Sequence, residues 1–341
     1  MLKLVSRITI ETGSTRWQFN SVAECNIVED MGSLTDTCEL KLPRNIKWQG
    51  QVAPADSVSH TGSNTEMIYP PIKRGDRVTV ELGYDDDLKV RFAGYIRSVD
   101  AKVPITIKCE DGMFLLKSLK AEPKAFKNAT LKEIVEHLLK DTNIAYKLID
   151  DNIHVGAWRI TQPNVSQELQ ELKDKVMLSS YFRFIDGQSV LYIGLAYPTD
   201  NRRKLFFRHS RNIISEDFTY REKDDIRVRV EAQSFNAKHK KLTYEYGDKD
   251  GEVIKLRIDG LTEEELKKYA LQALERYKQS GFKGSFETFG VPEVSKCDMV
   301  EILASDGNSG TYLVKKNEIS FDTNGYRQKI ELGQRVSADK R

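Results

Sequence analysis

The feature that most constrains how this chain folds is a β pattern that occurs twice, once in the first third and once near the C-terminal end. Near the end, Asp298 leads into an alternating strand, a Gly-containing turn at 306–310 and two further strands. In the first third, Asp76 leads into the same succession, with an acidic turn at 85–87 and a closing strand at 105–109. Alternating strands separated by turn residues are typical of antiparallel meanders. The repeat therefore predicts two copies of one small β-module.

Composition narrows the class of protein. The 341 residues are enough for two or three domains. A hydrophobic share of 39% and a charged share of 30% are typical of a folded globular chain. No apolar run approaches the length that crosses a bilayer, and the first residues predict a strand, so we expect no membrane span and synthesis in a cytoplasm. The 53 basic and 51 acidic residues leave a net charge of +2, without the basic excess of a duplex-binding protein.

Residues 1–115 are predicted to form the first β-barrel module. Strand-like alternation runs through 7–11, 25–29 and 38–42, with turn residues between these stretches. A segment at 47–72, rich in Gln, Gly, Ser, Thr and Pro, then breaks the rhythm. Loops of this length are uncommon in compact domains and usually have a function or remain unfolded. Two interpretations stay open, a surface insertion and an arm that becomes ordered on a partner.

Residues 116–200 change in character and predict an α/β insert domain. Thr130 and Glu133 have the spacing of a capping box, and apolar residues at helical spacing follow, so a helix is predicted at 131–141. A second helix is predicted with Ser166 as its N-cap. A hairpin of two apolar strands completes the insert.

Residues 201–341 are predicted to form the second β-barrel module. Alternating strands return, and a capping box at Thr262 and Glu265 then opens a helix at 263–280, with Gly281 as its C-terminal cap. The helix is predicted to be an insertion just before the repeated meander. The whole pattern predicts an α+β, mainly β fold, in which two related β-barrel modules have an α/β insert between them.

The sequence contains no pattern that predicts catalysis, a cofactor or a metal site. The cysteines occur without CxxC spacing and are predicted to be reduced core residues: Cys25, Cys38, Cys109 and Cys297. The histidines belong to no catalytic or metal-binding motif: His60, His137, His154, His209 and His239. The nucleophile elbow, the Walker loop and the dinucleotide-binding motif are also missing. We assign no catalytic, cofactor-binding or metal-binding residue and expect a structural role rather than an enzyme.

The sequence contains acidic and basic clusters that common structural features explain. The aspartates at 85–87 and 248–250 lack the spacing of an EF-hand loop, and hairpin turns explain both. The basic clusters at 202–211 and 238–241 are predicted to be solvated faces or, in the alternative, the lining of a channel. Neither kind of cluster predicts a specific ligand.

Short motifs along nearly the whole chain resemble one family. They are Phe92–Ile96, Ile105–Asp111, the capping-box helix at Thr130, Leu191–Gly194, Ile226–Val230, Gly284–Pro292 and Gly325–Gln328. On these motifs the chain resembles the baseplate hub proteins of contractile phage tails, the late control protein D family. Relatives of that family include the hub portion of type VI secretion spike proteins.

The resemblance implies that both modules are tail-tube-like barrels and that three chains form a ring. Six modules in three chains would match a hexameric tail tube, while the true threefold axis would match a trimeric spike. The implied partners are further copies of the chain, the tail-tube protein, the spike and other baseplate proteins. Nucleic acid or a tape-measure protein would pass through the central channel. The implied location is the tail baseplate of a virion or an injection-system particle, assembled in the bacterial cytoplasm.

Two alternatives to a structural hub stay open on the sequence. One is a tail-associated cell-wall hydrolase whose site is assembled from dispersed residues. The other is a peripheral β-protein that binds a receptor or glycan. Since only residues 334–341 follow Gly333, we also expect the piercing tip to be another chain.

Overall fold

The computed structural model describes residues 2–42, 49–52, 72–100, 104–149, 153–185, 187–194, 203–235 and 241–336. Within them the chain is mainly β, as predicted, and it has four regions. We name them the first module (strands within 4–110), the middle domain (113–194), the second module (204–221 and 281–335) and the inserted subdomain (223–277). The domain boundaries drawn after residues 115 and 200 stay predictions.

The first module is a curled antiparallel sheet. Its strands are β1 (Leu4–Thr12), β2 (Thr15–Phe19), β3 (Glu24–Asp30), β4 (Thr37–Lys41), β5 (Gln49–Val52), β6 (Arg77–Tyr84), β7 (Asp87–Asp100) and β8 (Thr106–Glu110). They pair in the order β3-β4-β8-β7-β6-β1-β2-β5. Alternate residues of these strands are buried in one core, which includes Ile8, Phe19, Ile27, Leu40, Val80 and Ile107. Because side chains from opposite ends of this strand order meet there, the sheet must bend around that core.

The middle domain mixes helices and strands. Its elements are α1 (Met113–Ser118), β9 (Ala125–Thr130), α2 (Leu131–Leu138), β10 (Ala145–Leu148), β11 (His154–Arg159), α3 (Val165–Val176), β12 (Ser179–Ile185) and β13 (Gln188–Gly194). Strands β10, β13 and β12 form one small sheet, and β9 pairs with β11. The predicted hairpin and both predicted helices are present, with α2 ending at Leu138 instead of 141.

The two helix starts of the middle domain test the capping predictions. The box at Thr130 is confirmed: Glu133 N donates to Thr130 Oγ1 at 3.3 Å, and Thr130 N donates to Glu133 Oε2 at 2.8 Å. The predicted cap at Ser166 is wrong. Asn164 caps α3, since its Oδ1 accepts from Gln167 N at 3.0 Å, and Ser166 lies in the first turn. Asn and Ser are comparable N-caps, so two candidates two residues apart cannot be ranked by type alone.

The rest of the chain forms the second module and the inserted subdomain. Its elements are β14 (Lys204–Arg208), β15 (Ile213–Arg221), β16 (Val228–Phe235), β17 (Lys241–Gly247), β18 (Glu252–Arg257), α4 (Glu263–Tyr277), β19 (Gly281–Phe289), β20 (Met299–Leu303), β21 (Ser309–Asp322) and β22 (Gly325–Arg335). The second module has the strand order β15-β19-β22-β21-β20-β14. Its core includes Phe207, Phe286, Val300, Val314 and Ile330.

The inserted subdomain is larger than the single helix that the sequence analysis expected. Strands β16, β17 and β18 form a separate three-stranded sheet, and α4 packs on it through Leu266, Ala270 and Ala273. The alternation of these strands shows that one face is buried, but it does not show which sheet they join. The insertion therefore contains three strands in addition to the helix.

The end of α4 also differs from the prediction. The capping box at Thr262 is present, but the helix ends at Tyr277, and Lys278 is its C-cap. Gly281 is therefore not the C-cap and instead opens β19. A Cβ atom at Gly281 would lie 2.8 Å from Tyr312 Oη, so the close approach of Tyr312 accounts for this glycine.

The two modules share one sheet. The second half of β21 pairs antiparallel with β3, from Lys316 opposite Asp30 to Phe321 opposite Cys25. Within the described ranges this pairing joins both modules into a sheet of fourteen strands. Phe321 and Tyr326, from the second module, are buried in the core of the first. The modules are therefore fused side by side rather than linked by a flexible segment.

The segment at 47–72 is described only in part. Strand β5 lies within it and pairs antiparallel with β2. Residues 53–71 lie outside the described residues, so both interpretations of this segment stay open. Among the helices that the structure describes, none is long and apolar enough to cross a membrane.

Candidate assembly site at the module junction

Each module opens its meander with the same aspartate turn. In the first, Asp76 Oδ2 accepts from Lys73 N at 2.8 Å, and Asp76 N donates to Lys73 O at 3.2 Å. In the second, Asp298 Oδ2 accepts from Ser295 N at 2.9 Å, and Asp298 N donates to Ser295 O at 3.1 Å. Both aspartates are buried. The two turns match hydrogen bond for hydrogen bond.

The match continues into the following strands. Gly75 N donates to Ile96 O at 2.8 Å, and Ile96 N donates to the carbonyl of the turn aspartate at 2.9 Å. In the second module, Cys297 N donates to Val314 O at 3.0 Å, and Val314 N donates to the carbonyl of the turn aspartate, Asp298, at 2.8 Å. Gly75 and Cys297 both have a positive φ, +92° and +71°. Such values are rare outside glycine, so the shared conformation is a specific one.

Strand register is the same beside the aspartate turns of both meanders, although the shifts between Val80 and Glu81 and between Tyr312 and Val314 each occur in one module only. The equivalent cross-strand pairs are Val78–Gly94 with Val300–Tyr312, and Ile96–Cys109 with Val314–Leu332. A register shift follows at the same place in each, after Ile96 and after Val314. A β-bulge is a specific feature of a strand pair, so two unrelated meanders are not expected to share one at the same position. The structure thus contains two copies of one module, as the repeat predicted.

Buried charges hold the turn of the second module against the first module. Lys296 Nζ lies 2.7 Å from the Asp36 carboxylate, and Lys296 N donates to Glu29 Oε2 at 3.1 Å. Asp36 N in turn donates to Asp111 Oδ2 at 3.2 Å. Lys296, Asp36 and Asp111 are all buried, so water screens their charges little. We call these four residues the junction cluster.

Burial controls protonation in the junction cluster. Desolvation raises the pKa of Glu29 to about 7, and the Asp36 charge adds to the effect. Desolvation also raises the pKa of Asp111 to about 7, again with a contribution from Asp36. Burial by itself would lower the pKa of Lys296, but Asp36 and Asp111 raise it above its ordinary value. Lys296 is therefore charged, and it faces carboxyl groups that do not all ionise together at neutral pH.

A second buried network ties the same two modules together. The Arg91 guanidinium, on β7, donates to Val294 O at 3.0 Å, Gln328 Oε1 at 3.1 Å and Tyr326 Oη at 3.0 Å. Asn317 Nδ2 donates to the same Val294 carbonyl at 2.7 Å. Arg91, Tyr326, Gln328 and Asn317 are buried. Hydrogen bonds between buried groups fix relative orientation, because a shift would leave several polar groups unpaired.

The cysteines and histidines that the sequence singled out do not meet in a site. All four cysteines are buried and none is in a disulfide, and desolvation raises the pKa of the Cys38 and Cys109 thiols above their ordinary value. His137 contacts the carbonyl of Glu122 at 3.0 Å, whereas His60 and His239 lie outside the described residues. In the part of the chain that the structure describes, no group of His, Cys, Asp and Glu could hold a metal ion.

The charged clusters of the sequence lie in turns and ion pairs. Asp248 pairs with Lys278 at 2.5 Å, and Asp250 pairs with Arg227 at 2.6 Å. Asp85 occupies a tight turn with a φ of +54°. These contacts agree with hairpin turns rather than a calcium loop.

The basic clusters are only partly described. Arg203 Nη2 lies 2.7 Å from the carboxylate of Asp298, the turn aspartate of the second module. Lys204 pairs with Glu301 at 2.5 Å. Arg202 and residues 238–240 lie outside the described residues. Arg203 and Lys204 of the first cluster therefore pair with carboxylates of the second module.

The fused sheet has a polar face, formed by residues of β3, β4, β8, β21 and β22 that alternate with core residues. Four of its lysines pair with carboxylates of neighbouring positions. The pairs are Lys41–Glu24 at 2.7 Å, Lys108–Glu39 at 3.8 Å, Lys316–Glu318 at 2.5 Å and Lys315–Glu331 at 2.6 Å. The polar face thus runs across both modules with its described lysines largely neutralised.

Sequence reasoning missed the junction cluster and Arg91. The available signals were local: Asp111 ends one of the family-like motifs, and Lys296 lies two residues before the turn aspartate. Nothing in the sequence pairs Lys296 with Asp36. These residues meet only because β21 pairs with β3, and the register between strands so distant in the chain is set by tertiary packing.

No family model matches the chain, and no curated protein matches it. Solved structures do match. A tail protein from Neisseria meningitidis MC58 is 15% identical with a TM-score of 0.61, over 97% of each chain. The 43 kDa tail protein of prophage MuSo2 from Shewanella oneidensis is 16% identical with a TM-score of 0.59, over 96% of this chain and 98% of that one.

A third structure comes from a secretion system. It is an E. coli component of the type VI secretion system that is described as similar to T4 bacteriophage tail proteins gp27 and gp5. It is 10% identical with a TM-score of 0.58, over 97% of this chain and 77% of that one. Identities this low show the fold alone. The chain therefore has the fold of phage tail proteins, which it shares with a component of the type VI secretion system.

Proposed function

We propose that the protein is a structural baseplate hub of a contractile phage tail or a phage-like injection system. Three copies form a ring that adapts a hexameric tail tube to a trimeric spike. The observation that carries this proposal is the fusion into one sheet of two modules that have the same aspartate turn and the same strand register beside it. A ring of three such chains has true threefold symmetry and six nearly equivalent modules. It can therefore present a different symmetry to each partner.

The polar face supports a passage through the ring. A channel wall that carries neutralised charges attracts neither an anionic nucleic acid nor a tape-measure protein strongly. The ion pairs Lys41–Glu24 and Lys316–Glu318 neutralise this face within single strands or adjacent strands. In the proposed ring this face lines the channel, and the two cores lie behind it.

Within the residues that the structure describes, the junction cluster is the one specific support for the alternative of a cell-wall hydrolase. Carboxyl groups with a raised pKa are typical of general acids. In this protein, however, Glu29 accepts from Lys296 N, and Asp111 accepts from Asp36 N and from Met113 N. Carboxylates occupied by the protein's own donors hold modules together, so we favour a structural role for them.

Mass and shape test the proposed function together. Light scattering on the purified chain at high concentration, with electron microscopy of the same sample, should give a three-chain mass and an annular particle. A strictly monomeric mass, with no ring after addition of tube or spike subunits, would contradict the proposal. Turnover of peptidoglycan by the purified chain that is lost in Glu29→Gln would favour the hydrolase instead.

A further inference from the structure

A cleft of about 510 Å³ lies between the inserted subdomain and the second module. This volume is within the range of cavities that bind ligands. The inserted subdomain forms one wall, with Ile226, Val228, Ile254 and Tyr277. Strands β19, β21 and β22 of the second module form the other wall. The four residues of the junction cluster do not line this cleft, so it is a separate feature of the molecule.

The two walls of the cleft differ in chemistry. Ile226, Ile254 and Tyr277 are half-buried, and they make the wall of the inserted subdomain largely apolar. The cations of the cleft belong to the second module: Arg221, Lys283, Lys315, Lys316, Lys329 and Arg335. The carboxylates of the cleft are Glu252, Glu318 and Glu331. The lining therefore has an excess of three positive charges.

Two of the cations are neutralised within their own wall. Lys315 pairs with Glu331 at 2.6 Å, and Lys316 pairs with Glu318 at 2.5 Å. Among the described residues, three further cations of the cleft have no carboxylate within ion-pairing distance: Arg221, Lys329 and Arg335. The excess positive charge of the cleft comes from these three side chains.

One ion pair crosses the cleft. Lys283 Nζ of the second module lies 3.2 Å from Glu252 Oε2 of the inserted subdomain. The two side chains are 55% and 65% exposed, and ion pairs this exposed contribute little to stability. Glu252 acts on a second cation too: hydrogen bonding to Glu331 raises the pKa of Lys315, and the charge of Glu252 adds to this effect. The inserted subdomain thus already places one carboxylate against the cationic wall.

We infer that this cleft binds an acidic peptide segment of another protein, with apolar side chains between its carboxylates. The carboxylates of the segment pair with Lys283 and Lys329, and its apolar side chains lie on Ile254. Glu252 is displaced from Lys283 when the segment binds. The excess of positive charge attracts the segment, and the apolar wall provides surface that leaves contact with water. The inference goes beyond the hub proposal and does not depend on how many chains assemble.

The lining favours a peptide over a nucleic acid. Glu318 and Glu331 lie among the cations, and they would repel a phosphate backbone that carries a charge on every nucleotide. A peptide can place neutral residues opposite these two carboxylates and acidic residues opposite the cations. Ile226 and Ile254 on the other wall suit the aliphatic and aromatic side chains that a peptide supplies.

Fluorescence anisotropy with a labelled peptide tests the inference on the full chain. The probe is the peptide Asp-Leu-Glu-Phe-Asp with fluorescein at its N-terminus. Two controls with the same label remove its charge or its apolar side chains: Asn-Leu-Gln-Phe-Asn and Asp-Gly-Glu-Gly-Asp. The probe should bind the wild-type chain, and each control should bind about fivefold more weakly or worse. The affinity for the probe should also fall as the salt concentration rises, because salt screens exposed charges.

Two variants that break the same ion pair should change the affinity in opposite directions. Lys283→Gln removes a cation that binds the probe and should weaken binding about fivefold, whereas Glu252→Gln removes the competing carboxylate and should strengthen it about threefold. Loss of the ion pair alone would change both affinities in the same direction. Lys329→Gln should weaken binding while the ion pair stays intact. The matched control, Lys267→Gln, breaks an exposed ion pair of the inserted subdomain outside the cleft and should leave the affinity unchanged.

The outcomes separate this inference from the proposed function. Opposite effects of Lys283→Gln and Glu252→Gln support the inference whatever the mass of the assembly. No binding of the probe, equal binding of the uncharged peptide or equal effects of these two variants overturns the inference and leaves the hub proposal standing. Tighter binding of a labelled single strand of thymidine nucleotides with the same charge overturns it in favour of a nucleic acid. Should Lys283→Gln fail to fold, Lys329→Gln decides, and an effect equal to that of Lys267→Gln would overturn the inference.

Discussion

The first and second modules have one backbone plan and different side chains at equivalent places. A Cβ atom at Gly94 would lie 2.9 Å from the Phe92 ring, and one at Gly310 would lie 2.7 Å from the Tyr312 ring. Phe92 is equivalent to Gly310, and Gly94 to Tyr312, so the aromatic residue and the glycine have exchanged positions. Each module thus has one aromatic ring and one glycine that leaves room for it on this face, and their order along the strand is reversed between the modules. At these positions the two modules therefore share the packed volume and the strand register, and not the residue type.

The modules differ most in what lies against their aspartate turns. Lys296 is buried against Asp36, whereas its equivalent Arg74 is exposed. The edge strands differ too, since β1 runs antiparallel to β6 but β14 runs parallel to β20. Among the strands that the structure describes, the second module has no counterpart of β2, and β14 takes the place of β1 with the direction of β2. The residue before the positive-φ position therefore contacts the other module in one case, as Lys296, and is exposed in the other, as Arg74.

The largest expected effect comes from removing the buried cation. Lys296→Met leaves Asp36 buried without its partner, and breaking a buried ion pair costs about 3–5 kcal/mol. Arg74→Met, at the equivalent exposed position, should leave the stability of the single chain unchanged. Urea denaturation of both variants under monomeric conditions measures the contrast. Equal losses would mean that the two turns have equal structural roles after all.

A smaller effect should appear in the pH dependence of stability. The pKa of Glu29 is raised to about 7 in the folded chain, above its ordinary value of 4.5. A carboxyl group with a raised pKa stabilises the fold below its unfolded pKa, and this contribution is lost as the pH rises through the folded pKa. Stability should therefore fall between about pH 4.5 and 7, by up to about 3 kcal/mol.

Glu29→Gln isolates this contribution. The amide oxygen can still accept from Lys296 N, so the hydrogen bond is kept while the titration is removed. The variant should have a flatter curve of unfolding free energy against pH than the wild type. Parallel curves would show that Glu29 does not change its protonation on folding. Two aspartates remain in the cluster, Asp36 and Asp111, and burial raises the pKa of both, so part of the slope should be kept.

Adding one methyl group to each exchanged glycine should give unequal losses. At Gly94 the new Cβ would lie 2.1 Å from the carbonyl oxygen of Glu110, a backbone atom that cannot move aside. At Gly310 the three atoms nearest to the new Cβ all belong to the side chain of Tyr312. Gly94→Ala should therefore cost about 1–3 kcal/mol, and Gly310→Ala less. Thermal unfolding of the two variants measures the difference, and a larger loss at Gly310 would contradict the packing argument.

The smallest effect concerns the positive-φ position. Gly75 has a φ of +92°, and a Cβ atom there would have open space around it, so only the backbone conformation penalises Gly75→Ala. The expected cost is about 1–2 kcal/mol. Cys297→Gly, the reciprocal change, relieves the same strain but removes a buried side chain, so its net effect should be smaller. No loss in Gly75→Ala would indicate that the first turn tolerates a different conformation.

Local features of the fold were accessible from the sequence, and contacts between distant segments were not. The repeated meander and the capping boxes at Thr130 and Thr262 depend on residues close in the chain, so their patterns carry the information. The pairing of β21 with β3 depends on shape and register across the whole fold. The same limit explains why the strands before α4 were not recognised as a separate sheet, and why no pattern indicated Lys296 or Arg91.

The strand pair between β3 and β21 changes how an assembly would respond to dilution. It forms once in every chain during folding, at any protein concentration, because the two partners are covalently connected. In a ring of three copies, only the contacts between chains depend on how often molecules collide. The yield of rings should then follow the third power of the free subunit concentration, where six separate modules would follow the sixth. Such a ring would therefore still form at concentrations that are too low for a ring of six separate modules.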